Sequence, residues 1–83
     1  MIPNYTVHYR NFRGRGQNLI RFESAPPKEV RDRMKSHGFY WSNANLAWIA
    51  DDRFIYAEIA PVIEGNDEQL AEIAMEKACG MYD

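Results

Sequence analysis

Glycine and proline cut this chain at short intervals, and that punctuation limits what it can become. Breaks at Gly14 and Gly16, Pro26-Pro27, Gly38, Pro61, Gly65 and Gly80 leave room only for short strands and helices of a few turns. Tyr5, Val7 and Tyr9 alternate with Thr6, His8 and Arg10, the period of a half-buried strand. A second strand is expected at Leu19–Glu23, with Ile20 and Phe22 on one face and Leu19, Arg21 and Glu23 on the other. The residues between, Phe12 to Asn18, read as a flexible, basic hairpin tip.

Pro27 suits the first position of a helix, where its missing N–H matters least, and Glu29 suits the first turn. That helix carries a narrow apolar stripe, Val30 and Met34 with His37, and stops at Gly38. Phe39–Ser42 and Leu46–Ala50 read as two more strands, joined through Asn43-Ala44-Asn45, whose asparagines tolerate left-handed backbone. Asp51 or Asp52 can cap a second helix bearing Phe54, Ile55, Ile59 and Val62, which Pro61 ends or kinks. Asn66 and Gln69 form a capping pair for a third helix, with Leu70, Ile73, Ala74 and Ala78 as its apolar side and Gly80 as its stop. The expected fold is α+β: a small antiparallel sheet, order β-β-α-β-β-α-α along the chain, with helices packed on one face.

With 83 residues this is one domain, 1–83, too short for an enzyme with a separate cofactor-binding half. Charge divides it. Residues 1–50 hold eight Lys and Arg against three acids, a net +5, and eight of the eleven aromatics. Residues 51–83 hold two basic side chains against nine acids, a net −7. A basic, aromatic part and an acidic part can offer surfaces to two kinds of partner.

The segment from Phe22 to Tyr56 resembles a known family. Arg21-Phe22-Glu23, then Pro27, Glu29-Val30-Arg31, Met34-Lys35, Gly38-Phe39-Tyr40-Trp41-Ser42 and Ala47-Trp48 are similar to a small domain of phage- and plasmid-encoded mobile-element proteins, found with helicase-, methyltransferase- and antirestriction-like chains. Pro27, Val30, Gly38, Phe39, Trp41 and Trp48 carry the match. Met34 stands where leucine is usual, Tyr40 where a basic residue is frequent, and Ile49-Ala50 where polar and basic residues often follow. The ending, Ala71 to Tyr82, resembles C-terminal tails of such proteins. The resemblance implies nucleic-acid-associated or anti-defence biology.

Several residue groups are candidates for function. Arg13-Gly14-Arg15-Gly16, flanked by Arg10 and Arg21, resembles arginine–glycine segments that contact nucleic-acid backbones, since guanidinium forks match phosphate oxygens. Tyr40 points away from Phe39 and Trp41 and is the candidate for base stacking, whereas Trp41 and Trp48 are expected in the core. Glu68, Glu72 and Glu76, four apart, form an acidic stripe suited to a basic groove on a protein partner. Enzyme readings lack an inventory: two histidines, no nucleophile-elbow motif and no paired zinc-ligand spacing around His8, His37 and Cys79. Asp51-Asp52 reads as a cap before it reads as a metal pair.

These observations describe a non-enzymatic binding module without cofactor or metal, engaging nucleic acid or a nucleoprotein complex. The rival reading is a small inhibitor of a host defence system, of anti-CRISPR or antirestriction type, that docks on protein. The expected setting is the reducing cytoplasm of a bacterial host. No apolar run approaches the length that spans a membrane, the N-terminus lacks a signal peptide's pattern, and the lone Cys79 excludes an internal disulfide.

Overall fold

A computed structural model of the chain describes residues 1–80; the expected tail match at Met81 and Tyr82 lies outside the described residues. The elements are β1 (Tyr5–Phe12), β2 (Arg15–Phe22), α1 (Lys28–Ser36), β3 (Tyr40–Ser42), β4 (Ala47–Asp51), α2 (Tyr56–Glu64) and α3 (Asp67–Ala78). All strand pairs are antiparallel, and the sheet order is β1-β2-β4-β3. The fold is the expected α+β arrangement. The α1 crossover carries the chain past β2 to the far edge, so β4 returns between β2 and β3.

Register assigns every strand residue to a face. On one face Val7, Ile20, Trp48 and Trp41 stand in a row across the four strands. This face takes the helices: Ile20, Trp48 and Ala50 share a core with Val30 and Met34 of α1, with Phe39, and with Ile59, Val62 and Ile63 of α2. Phe54 packs at its margin, edge-on to Phe39 at 4.9 Å between ring centroids. The helix α3 docks chiefly on α2, and Ile73 is its deeply buried side chain. Ala74 and Ala78, expected on its apolar side, are exposed, because a helix at the flank of the layer meets a partner on one narrow stripe only.

Several local expectations give way to closer backbone chemistry. The hairpin tip is not a seven-residue loop but the two residues Arg13 and Gly14, with φ of 55° and 80°. Positive φ at both positions is the mark of a type I′ turn, whose twist matches the strands and extends the ladder to Phe12↔Arg15. Asn11 steadies it, its Oδ1 accepting from Gly14 N–H. Asp51 ends β4 and does not cap α2; its carboxylate accepts from the N–H of Arg53, and Asp52 lies in the intervening turn. The start of α2 falls at Tyr56, where the Glu58 carboxylate accepts from Ile55 N–H. Pro61 neither ends α2 nor stands at its surface: it is buried, and the helix runs on to Glu64.

Helix α2 stops at Gly65, with φ of 71°. Arg33 of α1 donates from Nε and Nη2 to the Ile63 carbonyl, at 3.2 and 2.6 Å, satisfying an orphan acceptor of the last turn. The Asn66–Gln69 pair is as expected: Asn66 Oδ1 accepts from Gln69 N–H, and the two amides bond side by side. Lys77 ties α3 to the start of α2, donating to Glu58 at 2.8 Å and to the Arg53 carbonyl.

In the β3–β4 turn the left-handed residue is Leu46 (φ 50°), not one of the asparagines. Asn45 instead bonds to the Ser42 hydroxyl with both its main-chain N–H and its amide. Left-handed backbone costs a bulky L-residue roughly 1–2 kcal/mol, and Leu46 is 70% exposed, so packing does not offset it. Leu46→Asn is expected to raise stability by about 0.5–1 kcal/mol, read as a higher urea midpoint at unchanged m-value.

Candidate nucleic-acid interface

The second face of the sheet carries no helix. Its middle row is His8, Leu19, Ile49 and Tyr40, one residue from each strand. On one side of that row stand Arg10, Gln17 and Asp51, with Phe12 and Arg15 beyond them; on the other stand Thr6 and Arg21. Leu19, Ala47 and Ile49 form a small cluster of their own, at most 2% exposed although only strand residues contribute to it. Their cover is the surrounding long side chains, which are therefore held flat across the sheet.

Hydrogen bonds fix that cover. Arg10 Nε donates to Gln17 Oε1 at 3.1 Å, and Gln17 Nε2 donates in turn to the Tyr40 hydroxyl at 3.4 Å. Arg21 reaches along the sheet to the Asn45 carbonyl at 3.1 Å. At the hairpin end the guanidinium carbons of Arg10 and Arg13 lie 4.8 and 5.1 Å from the centre of the Phe12 ring. Among the described residues Arg10, Arg13, Arg15 and Arg21 make no ion pair. The one strand acid of this face, Asp51, is already paired with Arg53 at 3.1 Å.

The structure thus brings Arg10, Arg15, Arg21 and Tyr40 onto one surface, with Arg13 at its hairpin end. Tyr40 is 46% exposed, its ring carried on the edge strand. His8 and Phe12 belong to the same surface, and Phe12 escapes a reading that treats the hairpin as a loop. The Thr6-His8-Arg10 alternation already puts His8 beside Arg10, and continuing it by one step adds Phe12.

The tryptophans part company. Trp48 is 5% exposed and is core, as expected. Trp41 is 48% exposed, contrary to expectation: it stands on the edge strand, and its ring meets Trp48 edge-on at 5.9 Å and 67°. An edge strand has a neighbour on one side only, and α1 does not extend over it far enough to close the other.

The acidic stripe lies on the helical layer. Glu68 and Glu72 are exposed on α3 beside Asn66 and Gln69, and Glu76 is half-buried. The stripe shares no surface with the arginines of the open face. His8, His37 and Cys79 sit respectively on that face, at the end of α1 and at the end of α3. Among the described residues no three His, Cys, Asp or Glu side chains gather as a metal site would require, and no helix is long and apolar enough to cross a membrane. Two displaced pKa values also fall off the open face. Burial, reinforced by Glu64 and Tyr56, pushes the Tyr5 phenol up. The hydrogen bond from Lys28, 2.8 Å long, holds the Asp32 carboxyl below its ordinary range.

No family model matches the chain, and no solved structure matches it. Among curated proteins it is similar to the DNA-directed RNA polymerase subunit beta' of Hydrogenovibrio crunogenus (strain DSM 25203 / XCL-2), 41% identical over 59 residues. The match takes in 66% of this chain, which spans about 4% of that subunit's length.

Proposed function

We propose that this protein is a non-enzymatic binding module whose open sheet face engages single-stranded nucleic acid, within a phage or other mobile genetic element. The observation that carries the reading is the shared face: three arginines without acidic partners among the described residues, spaced around an exposed tyrosine on a sheet face that carries no helix. Guanidinium groups bind phosphate, and an exposed ring stacks on an unpaired base, which is the combination single-strand binders use. Partial similarity to a subunit of a DNA-directed polymerase supports a nucleic-acid-handling context.

The test is fluorescence anisotropy with a labelled oligothymidylate over a salt series. Neutralising three to four phosphates predicts a log–log slope of about −2 to −3 for a single strand. Tyr40→Ala is expected to cost about 1–3 kcal/mol of binding while leaving that slope in place, because stacking releases no counterions. A flat salt response, or a Tyr40→Ala variant binding as tightly as the parent, contradicts the reading.

One observation favours the second reading, a protein-docking inhibitor of a host defence complex. Glu68, Glu72 and the apolar Met75 are all exposed on α3, so an acidic surface with an apolar side chain at one end faces outward. Replacing Glu68 and Glu72 with Lys separates the two. Loss of a protein partner, by several kcal/mol, marks docking on a basic groove. A modest gain in oligonucleotide affinity marks removal of a repulsive field.

A further inference from the structure

Tyr40 and Trp41 are neighbours in sequence, both about half exposed, and they point to opposite faces of β3. That strand is an edge of the sheet and is three residues long. A ligand lying on Tyr40 therefore needs only to round this short edge to meet Trp41. What it meets there is a formed site. The Trp41 ring is braced by Trp48, and its N–H donates to Asn43 Oδ1 at 2.7 Å, so the indole is held in place with its polar atom already satisfied.

A cavity of about 370 Å³ opens beside it, lined by Ala25, Pro26, Arg31, Lys35, Trp41 and Trp48. A second hollow, of about 300 Å³, shares Pro26 and both tryptophans and adds Phe22 and Leu46. Both volumes fall in the range of small-ligand sites, about 300–1,000 Å³. Among the described residues no carboxylate lines either one. Arg31 and Lys35 stand one turn apart on α1, exposed and, among the described residues, without an ion pair. The site thus combines an aromatic slot for a flat ring with two exposed cations at its mouth, with Asp32 of the same helix near enough for both to act on its carboxyl.

We infer that the Trp41 groove is a second nucleotide subsite, taking one unstacked base against Trp41 and Pro26 with its phosphate at Arg31 and Lys35. A single strand would run from Tyr40 on the open face, over the β3 edge, into this groove. The inference rests on the single-strand reading of the open face and adds to it a path and a second set of contacts. Charge complementarity selects an anionic ligand, and continuity with Tyr40 selects a nucleic-acid strand over an acidic peptide.

The experiment combines anisotropy of a labelled oligothymidylate of about ten nucleotides with tryptophan emission from the same titration. Only Trp41, of the two tryptophans, is exposed enough to stack. Binding is expected to quench emission, and Trp41→Phe to remove that quench. Arg31→Ala with Lys35→Ala is expected to lower affinity about tenfold and to reduce the log–log salt slope by about 0.7, the share of one phosphate on a single strand. Both positions are exposed, so folding is retained. Oligonucleotide binding with unchanged emission, and with the Arg31/Lys35 variant matching the parent, overturns the groove and leaves the open face standing. Sensitivity to Arg31 and Lys35 but not to Arg10 and Arg21 upholds the groove and removes the open face. Absence of oligonucleotide binding overturns both, and saturation of the groove by an acidic peptide alone assigns it to a protein partner instead.

Discussion

Trp48→Ala is expected to lower stability by about 3–5 kcal/mol, the range for deleting a buried aromatic side chain. The residue stands at the centre of the helix-covered face, opposite Ile20 on β2 and Trp41 on β3, and belongs to the same core as Val30, Met34, Ile59 and Val62. Its removal leaves a cavity between a sheet and two helices that cannot all move inward together. Globular proteins hold about 0.05–0.15 kcal/mol per residue, so the loss is a large part of all that an 83-residue chain can have. Thermal unfolding followed by circular dichroism should shift down by about 15–30 °C. The same change at Trp41 should cost much less, because half of that side chain already meets water. A Trp48→Ala variant that unfolds like the parent would contradict this placement of the core.

Simultaneous reversal of Arg10, Arg15 and Arg21 to Glu is expected to weaken oligonucleotide binding by about a thousandfold or more. Each reversal both removes a phosphate partner and sets a like charge against the strand, and tenfold per site corresponds to about 1.4 kcal/mol. The three side chains share one face and, among the described residues, have no acidic partners to be stranded, so the effect on folding is confined to Arg21, which loses its bond to the Asn45 carbonyl, and to Arg10. There the bond to Gln17 and the contact with the Phe12 ring are lost, about 1–2 kcal/mol in all. The parent and variant should therefore both melt cooperatively while differing sharply in binding. Equal affinity at low salt would take the arginines out of the interface.

Much of this architecture is legible one element at a time. The Tyr5–Val7 alternation, the Gly38 stop of α1 and the Asn66–Gln69 cap of α3 are decided by backbone chemistry within a few residues and stand where local reasoning puts them, whereas Tyr9 is exposed and Pro27 is the N-cap before Lys28 rather than the first helical residue. Local reasoning fails where two local solutions compete. Glycines at 14 and 16 permit a loose tip, but ladder bonding from Phe12↔Arg15 onward favours the tight I′ turn. Asn43 and Asn45 can turn left-handed, yet the bonds between Asn45 and Ser42 hold that residue and leave the strain on Leu46. Pro61 reads as a residue that ends or kinks its helix; the end is overridden, because Ile59, Val62 and Ile63 bury on both sides of it and carry α2 through.

The amino-acid sequence by itself determined the elements, their order, and which side chains within each strand share a face, because those follow from a two-residue period and from caps and turns of short reach. It also placed a basic, aromatic half ahead of an acidic one. Strand order and register belong to the tertiary structure alone. They set β4 between β2 and β3, gathered Arg10, Arg15, Arg21 and Tyr40 from three strands into one surface, and put Glu68 and Glu72 elsewhere. They also gave two tryptophans seven residues apart different fates, Trp48 in a central strand under helices and Trp41 on an edge open to solvent. The physical reason is that burial is a property of neighbours far along the chain, and no local pattern encodes which strand will be left without one.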